Sequence, residues 1–200
     1  MLNQQTLDQF WNFDDPGLSE ARFRAAIVDA AYDDDERAEF ATQLGRAIGL
    51  QGRYEEADAL LDSIDGDEPT VAVRVLLERG RVLNSSGHAE MAVPLFEQAA
   101  ELADHLGEDF LAVDALHMLA IADNAHAETW TRSALEYAST VHDVRTRRWM
   151  VALHNNLGWT LHEAGRCTEA MVEFQLAEQW AERVGTPQQQ ERARAAIDAC

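Results

Sequence analysis

Small residues recur on a fixed grid in this chain. Gly45, Gly52 and Ala57 repeat as Gly80, Gly87 and Ala92, and again as Gly158, Gly165 and Ala170. In each copy the second glycine follows the first by seven residues and the alanine follows five later. Tiny side chains on such a grid mark places where two helices approach too closely for anything larger. Repetition of the grid marks stacked helical units. The expected fold is all-α: a right-handed superhelix, or solenoid, of about five antiparallel helix pairs plus a C-terminal capping helix. Architectures of this kind mostly bind and rarely catalyse.

The units follow from apolar spacing and breakers. Residues 36–69 form the clearest copy. Asp33-Asp34-Asp35 supplies a cap and favourable charge for a helix carrying Ala41, Leu44 and Ile48. Gly49-Leu50-Gln51-Gly52 breaks it, and a second helix runs from Tyr54 to Ile64 before Asp65-Gly66-Asp67-Glu68-Pro69 ends the unit. Copies follow at about 71–107, 109–142 and 146–184. The third of these four is degenerate: Ala120 replaces the helix glycine and Asn124-Ala125-His126-Ala127 replaces the turn. An opening copy spans about 3–31, with helices from Leu2 to Phe13 and from Pro16 to Ala31. Leu7, Phe10 and Trp11 form the buried face of the first, and Leu18, Ala21, Ala25 and Val28 that of the second. Thr186-Pro187 starts a cap over 187–199 whose thin apolar face is Ala193, Ala196, Ile197 and Cys200. Pro94 falls in the opening turns of its helix. The whole of 1–200 reads as one solenoid domain.

The charge is lopsided: 36 acids against 16 bases, a net charge of −20, and every base is arginine. Such a surface repels nucleic-acid phosphate and anionic lipid, so neither nucleic acid nor membrane is an expected partner. Salt adaptation and attraction of a basic partner both remain open as its origin. No run is long and apolar enough to span a bilayer, and the N-terminus lacks the basic start and cleavage site of a signal peptide. Cys167 and Cys200 have no metal-ligand spacing and read as free thiols, which places the chain in the cytoplasm.

Leu44-Gly45, Gly52-Arg53-Tyr54, Ala57 and Leu61 resemble the tetratricopeptide repeat (TPR). So do Gly80, Gly87, Ala92 and Phe96, with Arg79 where leucine is usual, and Leu157-Gly158, Gly165, Ala170 and Phe174. The tryptophan that opens the family pattern is replaced by Ala41, Leu76 and His154. The resemblance covers about 36–184 and, more loosely, 3–31. Gly80 and Gly158 lie seventy-eight residues apart across two copies, so the later units resemble the long-helix variants of scaffold proteins and bacterial regulatory sensors. The resemblance implies a non-catalytic interaction scaffold that holds an extended peptide or partner protein in a concave groove. The alternative it leaves open is a regulatory sensor module for a small peptide or metabolite.

In that family the first helix of each pair lines the groove. Stepping by helical turns from the small residues selects Glu39, Thr42, Arg46, Arg74, Leu77, Arg81 and Asn84, then Asp114, His117, Ile121 and Asn124, and finally Asn155, Trp159 and His162. Arg46, Arg74 and Arg81 stand out in so acidic a chain and suit a carboxylate or an acidic segment. Leu77 and Trp159 suit apolar anchors. Pairing of the arginines with Glu39, Glu78 or Asp114 as ordinary solvated salt links is the competing reading. The lysine-asparagine-arginine clamp of some family members has no counterpart here, since lysine is absent. His117, His154 and His162 share no short spacing with an acid or cysteine, so neither metal nor cofactor is expected. Ser85-Ser86 with His88 is a loop cluster, not a nucleophile and its base. Arg145, Arg147 and Arg148 either pair with Asp143 or dock an acidic partner.

Overall fold

The structure, a computed structural model, describes residues 2–64 and 68–199. Asp65-Gly66-Asp67, expected as a stop, and Cys200, expected on the last apolar face, lie outside them. Among the described residues the chain is all-helical: α1 (Gln4–Asp8), α2 (Pro16–Val28), α3 (Asp34–Gly49), α4 (Tyr54–Asp62), α5 (Pro69–Ser85), α6 (Ala89–Leu106), α7 (Asp109–Ala122), α8 (Ala127–Thr140), α9 (Val144–Arg147), α10 (Trp149–Glu163), α11 (Cys167–Val184) and α12 (Pro187–Ala199). Neighbours pack in adjacent pairs. The chain divides into two compact units, one through Ala115 and one from Leu116, with the boundary inside α7.

The recurring grid has a definite physical use. The turn glycines Gly52, Gly87 and Gly165 have φ of 76°, 89° and 76°. That left-handed conformation is open to glycine and strained for other residues. The helix glycines make the hairpins close. A Cβ on Gly45 would meet Leu61 Cδ2 at 2.8 Å, and one on Gly80 would come within 2.8 Å of both Cδ1 and Cζ of Phe96. One on Gly158 would meet Phe174 Cζ at 3.0 Å. Each contact joins residues sixteen apart across a turn, so the three hairpins share one antiparallel register. Phe96 and Phe174 are fully buried.

In the first unit Leu7, Phe23, Phe40, Leu44, Ile48 and Leu61 form one core, with Phe10 and Trp11 packed on it. Phe10 and Phe40 lie 4.8 Å apart, and Tyr32 meets Phe40 edge-on at 4.8 Å. In the second unit Leu157, Leu161, Ala170, Phe174 and Ala196 pack together, and Val151, Ala177, Ala181 and Ala193 form a second cluster among the same three helices, α10, α11 and α12. Caps fall where the sequence puts them. Asp33 accepts from Glu36 N, and Glu36 returns a carboxylate to Asp33 N. Thr186 and Gln189 exchange the same pair of bonds at α12. In the degenerate copy a 3₁₀ turn, Asn124–His126, takes the place of the glycine turn, and Asp123 accepts from Trp130 Nε1 beside it.

Three expectations need correction. The first helix ends at Asp8, not Phe13, and Trp11 and Phe13 follow it outside the helix, stacked 4.7 Å apart. On α2 the buried residues are Ser19, Phe23 and Ala26, while Leu18, Ala21, Ala25 and Val28 are exposed. Ser19 is buried because its hydroxyl donates to Asn12 O and accepts from Asn12 N, so its polarity is satisfied inside. Pro94 is the sixth residue of α6, beyond the turn in which an amide has no intrahelical partner, so a helix bond is lost.

Glu20 on α2 ties the first two helix pairs together. It accepts from Arg24 of its own helix and from Gln51 and Arg53 in the α3–α4 turn, each at 2.7 Å. Burial pushes its carboxyl up, but the hydrogen bonds from Gln51, Arg24 and Arg53 outweigh this and hold it below the usual carboxylate range. Its contribution is therefore complete at neutral pH and is lost as pH falls through the lowered value. Urea unfolding of Glu20→Gln across the acid range should show a shallower loss of stability than the parent chain. Gly80→Ala should destabilise by about 1–3 kcal/mol, since a rigid buried ring blocks the new methyl. Gly45→Ala, which meets the flexible end of Leu61, should lose less; equal losses in urea would contradict this account.

Candidate functional site

A charged stripe runs along one side of α3 and α5. Glu39 and Arg46 lie seven apart on α3; Arg74, Glu78 and Arg81 lie at i, i+4 and i+7 on α5. These spacings put each set on one helical face, and α3 packs against α5. Arg74 Nε donates to Glu39 Oε2 at 3.1 Å. Both Arg74 Nη groups reach Gln4 Oε1 at 3.4 Å, and Leu2 N donates to Glu39 Oε1 at 2.8 Å. Arg81 donates to Glu78 Oε1 at 2.7 Å and to Asp114 Oδ1 at 2.5 Å. Glu39, Arg74, Glu78 and Asp114 are all buried. The arginines thus meet the acids named from sequence, but inside the first unit and not as solvated surface links.

Arg46 differs from the other two. Its Nε and Glu78 Oε2 are 4.0 Å apart, and both lack a hydrogen-bond partner among the described residues. Its guanidinium lies over the Trp11 and Phe13 rings, 5.4 and 5.5 Å from their centroids. Trp11 is fixed by Nε1 donating to Gln43 Oε1 at 3.1 Å, while Phe13 is 59% exposed. About a quarter of the Arg46 side chain reaches solvent (27%).

The electrostatics follow from this burial. Removal from water raises the Glu39 carboxyl above its usual range, more than Arg74 and the Leu2 amide lower it. Glu39 in its ionised form therefore opposes folding, and its share of stability is lost as pH rises through the raised value. For Arg81, burial works against the cation, but Asp114 and Glu78 more than offset it and its pKa rises. For Arg46, burial and then the neighbouring Arg81 charge lower the pKa.

The remaining sequence-selected residues are placed as follows. Leu77 is 1% exposed and belongs to the core, so it presents no apolar anchor. Arg74 is covered by Gln4 of α1 and held by Glu39, and Glu39 and Thr42 are fully buried. α1 closes this end of the stripe, which helical stepping alone does not reveal. Asn84 is half-buried near the end of α5; Asn124 is exposed in the 3₁₀ turn and Ile121 is exposed at the end of α7. In the second unit Asn155, Trp159 and His162 are half-buried on α10. Trp159 packs edge-on against Phe174 at 5.2 Å and against His162 at 5.7 Å. His117 lies 5.0 Å from the Trp149 ring.

His154 is buried, with Nδ1 2.7 Å from Glu173 Oε2. Among the described residues no three His, Cys, Asp or Glu side chains gather as a metal site would require. Arg147 and Arg148 donate to the Val141 and Val184 carbonyls at the C-terminal ends of α8 and α11, and Asp143 caps α9 by accepting from Thr146 N. Sequence reasoning missed Phe13 and Gln43 beside Arg46. It also missed a cavity of about 180 Å³ in the second unit, lined by Val151, Asn155 and Asn156 of α10 and by Gln189, Arg192 and Ala193 of α12. The i, i+3, i+4 spacing of Gln189, Arg192 and Ala193 was the available signal.

No protein-family model matches the chain, and no curated protein matches it. Among solved structures, BtubC (BKLC) from P. vanneervenii is similar in fold, with a TM-score of 0.63 at 14% identity over 96% of this chain and 82% of that one. MamA MSR-1 C2 shares 20% identity over 74% of this chain and 98% of its own, with a TM-score of 0.26, too loose a superposition to bear on the fold. The likeness to BtubC shows a TPR-like all-helical fold. Among the described residues no helix is long and apolar enough to cross a membrane.

Glu39→Leu should strand Arg74 as a buried cation and destabilise the chain by about 3–5 kcal/mol. The double variant Glu39→Leu/Arg74→Met should recover most of that loss. Urea unfolding of the pair of variants checks this, and a single variant as stable as the double would mean that the two side chains are not coupled.

Proposed function

We propose that this chain is a TPR-type interaction scaffold without catalytic activity, acting in the cytoplasm and holding an extended segment of a partner protein along its first helices. The observation that carries the reading is Arg46. It combines a side chain that is 27% exposed with two stacked aromatic rings, one of them largely exposed. Arginine and aromatic side chains dominate the energetics of protein interfaces. A carboxylate of an acidic partner segment would approach the solvent-exposed part of the Arg46 side chain while apolar side chains cover Phe13. Asn84 extends the first unit's contribution, with Arg81 held beneath by Glu78 and Asp114. In the second unit His117, Asn124, Asn155, Trp159 and His162 supply polar and aromatic contacts. Arg74 and Leu77 support the surface from within.

Affinity distributed over such contacts does not depend on one group, but Arg46 and Phe13 should stand out. Against a partner isolated with the chain, Arg46→Ala and Phe13→Ala should each weaken binding about tenfold or more in calorimetry, near 1.4 kcal/mol, with helix content unchanged by circular dichroism. Unaltered affinity in both variants would remove this face from the reading. Arg74 and Arg81 are unsuitable for the same test, because their loss breaks buried ion pairs.

A further inference from the structure

We infer that the cavity between α10 and α12 is a binding site for a small aliphatic carboxylate, separate from the Arg46 face and independent of it. In a chain with 36 acids and 16 bases, this cavity is lined by one guanidinium, three carboxamides and no carboxylate. Its polar groups are biased toward donors. Gln189 Oε1 already accepts from Thr186 N at 3.0 Å, which leaves its amide hydrogens as the unused function. Arg192 offers donors only and forms no ion pair among the described residues, unlike Arg194 on the same helix, which lies 3.5 Å from Glu178. Asn155 makes no side-chain hydrogen bond among the described residues and contributes a further amide. Asn156 Nδ2 lies 3.5 Å from His117 Nδ1, so Asn155 and Gln189 are the carboxamides whose amide hydrogens are unused. Val151 and Ala193, 4% and 2% exposed, give the cavity an apolar floor.

The chemistry that matches is a carboxylate head set against Arg192 and the carboxamides, with a short branched hydrocarbon body on Val151 and Ala193. A volume of about 180 Å³ limits the occupant to a few non-hydrogen atoms beyond the head. A free carboxylic acid and the side chain of a glutamate in a partner segment share this chemistry. Because Arg192 is exposed, affinity is expected in the range of ~1 mM.

The test is a titration of the full chain, followed by amide chemical shifts, with isobutyrate, isobutyramide and the capped peptide Ac-Gly-Glu-Gly-NH2. Isobutyrate should move the signals of residues 151–156 and 189–193 and saturate, while isobutyramide should bind at least tenfold more weakly. Arg192→Gln should weaken isobutyrate at least tenfold and Asn155→Ala severalfold, with the circular dichroism spectrum unchanged in both. Whichever of the acid and the peptide binds more tightly identifies the source of the carboxylate. Equal binding of acid and amide, or an Arg192→Gln variant with unaltered affinity, would overturn the inference. So would shifts that fall outside the α10–α12 cavity.

Discussion

A phenylalanine ring lying where a side chain would otherwise stand on the facing helix is the contact on which this fold depends. Phe96 fills the space over Gly80 and Phe174 that over Gly158, with Leu61 doing the same over Gly45. Because each contact spans the same number of residues around a left-handed glycine turn, the three hairpins close with the same depth and register. Close packing of this kind tolerates neither an added methyl nor a slipped helix. It also spends the apolar face of each first helix on its own partner, which leaves the opposite stripe of α3 and α5 to carry charge.

That charged stripe is held together by mutual satisfaction. Arg74 with Glu39, and Arg81 with Glu78 and Asp114, are removed from water and hydrogen-bonded in pairs. Ion pairs of this sort add little net stability, but the loss of one partner is severe. They fix how α1, α3, α5 and the start of α7 meet. Arg46 is the exception, since its nearest carboxylate oxygen is 4.0 Å away and its other contacts are aromatic faces.

Where the backbone demanded a particular residue, the sequence was readable. The turns at Gly52, Gly87 and Gly165 need a left-handed residue, and the close approaches at Gly45, Gly80 and Gly158 need a missing side chain, so both leave marks. The buried face of α2 left none, because a serine satisfied by Asn12 replaced an apolar residue there while Leu18 and Val28 faced solvent. The charged row was legible from the spacing of Arg74, Glu78 and Arg81. Its commitment to internal pairing was not, because that depends on which acids face it from other helices and on Gln4 arriving from far along the chain. The α10–α12 cavity was hidden for the same reason: Gln189 and Arg192 look like the outer face of a terminal helix until α10 is set beside them.

The balance of the stripe has an effect well beyond it. Arg46, Arg74 and Arg81 are matched one for one by Glu39, Glu78 and Asp114, so the entire surplus of twenty negative charges lies outside this network. Two copies of the chain approaching in dilute buffer meet as like-charged bodies, and this repulsion opposes their association. Added electrolyte shortens the reach of that repulsion to roughly a nanometre or less, so crowding of copies is governed by ionic strength while the paired interior stays indifferent to it.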